Sequence, residues 1–146
     1  GIFAMLNTQN LYNCFLEQYN MSNLAINTIA FQLLCLEPFT EGSFTDKQLS
    51  KLIDLSINLT NSDKVNIAKK ALNKAYESDL LLEDKIYYLL IAVCVTIRLQ
   101  GESLTQENQS TLNVVKTQSI DYLDYVNQEY PNVIPNLDLY EEQKCY

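Results

Sequence analysis

Ile-Tyr-Tyr-Leu-Leu-Ile-Ala-Val-Cys-Val-Thr-Ile, residues 86–97, runs for twelve positions without a charge. Glu83, Asp84 and Lys85 precede it, and Arg98, Gln100 and Gly101 follow. A helix that is apolar on every side must be covered on every side. Twelve residues cannot cross a bilayer, which takes about 20 apolar residues. The stretch therefore predicts a central helix over about residues 82–100. Gly101 fits the left-handed position just past its end. Glu83 and Asp84 suit the positive N-terminal end of that helix.

Working outward, the flanking segments carry helical period. Before the centre, Val65, Ala68, Leu72, Ala75, Tyr76 and Asp79 make a narrow stripe, with Lys64, Lys69, Lys70, Lys74 and Glu77 off it. Thr60-Asn-Ser-Asp63 stops the preceding helix and starts this one. Thr45 and Gln48 fit a capping box, followed by Leu49, Leu52, Ile53, Ser56 and Ile57 on one face. Further back, Pro38 ends a run containing Ile26, Ile29, Ala30, Leu33 and Leu34, which Ser22 can cap. Residues 38–44 read as a loop. Leu11, Phe15, Leu16 and Tyr19 give the first helical face. After the centre, Ser103 or Thr105 caps a long helix whose inward side is Leu112, Val115, Ser119, Leu123, Val126 and Tyr130. Pro131 ends it.

The expected fold is all-α: a single-domain bundle of five or six helices around the central one. Residues 1–130 form the bundle. Residues 131–146 form a tail with two prolines and no period, which docks on the bundle or on a partner. At 146 residues the chain is long enough to bury a core without staples. Three glycines and three prolines favour long helices with short joints.

The net charge of −8 and the single arginine, Arg98, argue against nucleic acid and against an anionic membrane surface. Cys14, Cys35, Cys94 and Cys145 lie too far apart for zinc or redox motifs. The first three sit among apolar neighbours and read as small core residues, and Cys145 reads as an exposed thiol. Residues 1–6 lack the charged and apolar regions of a signal peptide. A cytoplasmic protein is the expectation.

The chain has no histidine, which removes the commonest general base and metal ligand. Ser-His-Asp and Cys-His nucleophilic arrangements cannot be written. Neither G-x-G-x-x-G nor a Walker loop can be built from Gly1, Gly42 and Gly101. No catalytic residue, cofactor or metal site is expected. Asp79, Glu83 and Asp84 cluster before the central helix and read as charges at its N-terminal end, with a weak divalent-ion site as the functional alternative; Asp121 and Asp124, at i and i+3, read as a solvated face, with a metal pair as the alternative.

Ten tyrosines without tryptophan is an uneven aromatic balance. Tyr87 and Tyr88 fall in the central helix, and Tyr122, Tyr125, Tyr130, Tyr140 and Tyr146 crowd the C-terminal quarter. Tyrosine suits interfaces because it is apolar and hydrogen-bonding together. The expected partner-binding residues are Tyr122, Tyr125, Ile134, Leu137, Leu139 and Tyr140. The function read from these features is a non-enzymatic helical module that binds a protein partner, or itself as a homo-oligomer. The alternative is a small-ligand-binding bundle or carboxylate-dependent enzyme with a tyrosine-lined pocket. A buried acid at the foot of a pocket would favour the alternative. A flat, tyrosine-rimmed patch would favour the module.

Overall fold

A computed structural model describes residues 7–134 and Asp138. These residues are 74% helical, with six helices and no strand among them. An isolated parallel bridge joins Asn7 and Glu41. The fold is the all-α bundle that the periodicity predicts. Its contacts divide between Thr60 and Asn61 into two compact units. That division falls at the joint where the sequence stops one helix and starts the next.

The first unit holds α1 (Thr8–Glu17), α2 (Asn23–Leu36) and α3 (Asp46–Ser56). The side chain of Asn7 caps α1 by accepting from the Gln9 and Asn10 amides. Ser22 Oγ caps α2 by accepting from the Ala25 amide at 3.4 Å. Pro38 does end α2, but residues 37–39 tighten into a 3-10 turn rather than a plain loop. Thr45 and Gln48 form the reciprocal capping box at the start of α3.

Tyr12, Phe15, Ile26, Ala30, Leu33, Leu34, Phe44 and Leu52 pack into one core in this unit. Tyr12 meets Phe15 and Phe44 at 5.8 and 6.1 Å between ring centroids. The inward face of α1 is thus Thr8, Tyr12 and Phe15, with Leu11 partly buried against the same core: Leu11 and Phe15 face inward as predicted, and the rest of the face is turned toward Tyr12. Leu16 and Tyr19 are exposed, and Tyr19 instead lies under the Lys51 ammonium, 4.6 Å from its centroid. Cys14 is exposed for the same reason, correcting its reading as core, whereas Cys35 and Cys94 are buried. Ile53 and Ile57 are also exposed: the inward face of α3 runs through Leu52, Leu55 and Ser56, which turns Ile53 outward, and Ile57 lies past the end of the helix. With its nitrogen toward the carbonyls, the Asn27 amide donates to Leu55 O at 2.7 Å, tying α2 to the end of α3.

Gly42 closes this unit's loop. It takes φ +80°, a region that favours glycine, and a Cβ there would stand 3.0 Å from Thr8 Oγ1. That hydroxyl and the Thr8 amide both donate to Glu41 O, at 2.7 and 3.1 Å.

The second unit holds α4 (Asn61–Ala75), α5 (Leu82–Arg98) and α6 (Gln106–Glu129). α5 is the predicted apolar helix. Ile86 and every residue from Leu89 to Ile97 are buried, and α4 and α6 both pack on it. Gly101 follows with φ +83°. Thr105 Oγ1 caps α6, accepting from the Asn108 amide at 3.1 Å. Leu112, Val115, Ser119, Leu123 and Val126 are all buried, as predicted. Tyr130 is exposed instead, because the helix ends beside it at Glu129.

The joint between α4 and α5 is pinned by one lysine. Lys85 Nζ donates to Ala75 O at 2.9 Å and to Glu77 O at 2.7 Å. A cation at a helix C-terminus meets carbonyls that have no intrahelical partner. No helix among the described residues is long and apolar enough to cross a membrane.

Candidate interaction face

α4 and α6 run parallel, and both pack on the returning α5. Two pairs show the direction. Asn108 Nδ2 donates to Ser62 Oγ at 3.0 Å across 46 residues of chain. Tyr76 and Tyr122, at the same sequence separation, lie with ring centroids 5.3 Å apart. The register therefore holds from Ser62 to Tyr76, about 21 Å at the helical rise.

This seam is open to solvent. One shallow hollow of about 340 Å³ is lined by Lys69, Leu72 and Asn73 from α4 and by Ser110, Thr111, Val114, Val115 and Gln118 from α6. A second, of about 350 Å³, is lined by Tyr76, Gln118, Asp121, Tyr122 and Tyr125. Gln118 belongs to both, so the hollows adjoin. Buried Leu72 and Val115 lie at the floor, while Val114, Tyr76 and Tyr125 stand on the rims at 53%, 52% and 59% exposure. Tyr122 is half-buried and meets Tyr125 edge-on at 6.4 Å. The Lys85 ammonium lies 6.0 Å from the centre of the Tyr122 ring. At the end of α4, Lys74 pairs with Glu77 at 2.8 Å, and that hydrogen-bonded carboxylate raises the Lys74 pKa.

Of the residues expected to bind a partner, Tyr122 and Tyr125 come together here. Ile134 is half-buried beyond the end of α6. Leu137, Leu139 and Tyr140 lie outside the described residues. Tyr76 completes the aromatic cluster, although its sequence pattern puts it on the inward stripe of α4. α4 ends at the fully buried Ala75, so Tyr76 lies just past the helix end and turns outward.

The carboxylates do not converge. Asp79, Glu83, Asp84, Asp121 and Asp124 are all exposed. No group of three or more Cys, Asp or Glu side chains among the described residues could hold a metal ion. A third, smaller hollow of about 210 Å³ lies at the turn after α5, and its lining includes Gln100, Gln109, Asn113 and Lys116. It holds no acid.

No family model matches the chain, and no curated protein or solved structure matches it either.

Proposed function

We propose that this protein is a non-enzymatic interaction module that binds a protein partner through the α4–α6 seam. The observation that carries this reading is the shallow, tyrosine-rimmed hollow between parallel helices, with Tyr76, Val114 and Tyr125 each more than half exposed. Exposed aromatic and β-branched side chains over an apolar floor lose unfavourable hydration when another chain covers them. Tyrosine adds contact area with few rotatable bonds and keeps a hydroxyl for hydrogen bonding. The polar rim of Lys69, Asn73, Gln118 and Asp121 gives such a face its orientation. The ligand-pocket reading has less support, because the tyrosines line an open face and no acid among the described residues is buried beneath them.

The test is capture from the source cell with the intact chain as bait, beside the variant Val114→Lys/Tyr125→Lys. Both positions are exposed, so the variant keeps its fold, and thermal melts check that. Proteins retained by the intact chain and lost with the variant support the reading. Identical retained sets reject it, and so does an empty set from a chain that also fails to associate with itself.

A further inference from the structure

Four side chains at the middle of the α4–α6 face, Lys69, Tyr76, Val114 and Asp121, have an arrangement with a symmetry. In the shared register, Lys69 on α4 stands level with Val115 on α6, and Tyr76 stands level with Tyr122. Gln118 is the midpoint. Lys69 and Val114 lie toward the start of α6 from it, and Tyr76 and Asp121 lie toward the end. The apolar pair, Val114 and Tyr76, therefore occupies one diagonal, and the charged pair, Lys69 and Asp121, occupies the other.

A two-fold axis lying in the face along the apolar diagonal exchanges the two charged corners. From this the geometry points to a second copy of the chain as the occupant of the seam. The inference rests on the proposed interaction face and names its partner. In the pair, Lys69 of each copy meets Asp121 of the other, so the ion pair forms twice and every one of these charges is matched. Tyr76 meets the second copy's Tyr76, and Val114 meets its Val114. The helices of the two copies cross at nearly a right angle, one of the permitted but less frequent packings. Such an interface is isologous and closes at two copies, so it does not propagate into a fibre.

Size sets its strength. Two helix pairs that cross at nearly a right angle overlap over about two helix diameters each way, on the order of 400 Å² per copy, or about 800 Å² in total. Specific stable interfaces start near 1,200 Å². The dimer is therefore transient, and it forms as the concentration rises.

Sedimentation equilibrium of the intact chain over a wide concentration range tests this, together with Lys69→Glu, Asp121→Lys and their one-to-one mixture. Each single variant sets two like-charge pairs across the two-fold and weakens self-association by at least about tenfold. Mixing the two restores it. The carboxylate introduced at position 69 of one copy then meets the ammonium introduced at position 121 of the other, and the second contact keeps its native Lys69 and Asp121. Three results overturn the inference: an intact chain that stays monomeric at the highest concentration, singles that dimerise as well as the intact chain, or a mixture that stays weak. A monomeric intact chain whose cellular partners are still lost with Val114→Lys/Tyr125→Lys sinks the second copy as occupant and leaves the interaction face standing.

Discussion

Tyr76 and Tyr122 pack at 5.3 Å across the same sequence separation as the Ser62–Asn108 hydrogen bond. Two contacts of equal separation, one at each end of α4, set α4 and α6 parallel and in register. Everything proposed for the seam follows from that register. The turn from α4 into α5 helps to set it, and Lys85 is the side chain that holds that turn.

Lys85→Met keeps the aliphatic stem and removes the ammonium. Ala75 O and Glu77 O then lose a charged donor. Hydrogen bonds to charged groups contribute about 1.5–3 kcal/mol. The predicted loss is about 1–3 kcal/mol in a denaturant melt, and an unchanged midpoint would show that water serves those carbonyls equally well.

Leu90 lies at the middle of α5 and is fully buried. Leu90→Ala should cost about 2–5 kcal/mol, combining lost transfer energy with the cavity left behind. A cost below about 0.5 kcal/mol would place the side chain at the surface.

The two left-handed glycines should respond differently. Gly101→Ala meets nothing within 4 Å, so it bears only the backbone strain, about 1 kcal/mol. Gly42→Ala bears that strain and also presses on Thr8 Oγ1, which is held by its bond to Glu41 O. Paired thermal melts should rank Gly42→Ala as the more damaging. The reverse order would mean that the Asn7–Glu41 bridge yields at little cost.

Ser119 is fully buried, and its hydroxyl has no hydrogen-bond partner among the described residues. A buried unsatisfied hydroxyl is unfavourable by about 1–3 kcal/mol, and alanine also has the better helix propensity. Ser119→Ala should therefore raise stability, by about 0.5–2 kcal/mol. A destabilised variant would reveal a partner for the hydroxyl.

The long segments are legible in the sequence because they carry many turns. α6 has room for its phase to be unambiguous, and its five buried positions from Leu112 to Val126 match the sequence reading. α5 is legible from the missing charges alone. The short α1 is where the phase fails. Ten residues hold fewer than three turns, and by pattern Leu16 is as good a core residue as Tyr12. Helix ends mislead for a related reason: Ile57, Tyr76 and Tyr130 continue a periodic pattern just past the point where the helix stops. The tyrosines of α6 can be recognised as interface candidates by type and clustering. That Tyr76 joins them cannot, since the parallel register depends on two turns and on packing, neither of which leaves a periodic trace.

The most direct test of the interaction face is NMR of the isotope-labelled chain, titrated with unlabelled chain and, separately, with a protein recovered in the capture experiment. Signals from Lys69 to Tyr76 and from Val114 to Tyr125 are predicted to move in at least one titration. The exposed apolar side chains of the first unit, Leu24 and Ile57, are predicted to stay where they are. Shifts gathered on Leu24 and Ile57, with the seam unmoved in both titrations, would contradict the interaction face.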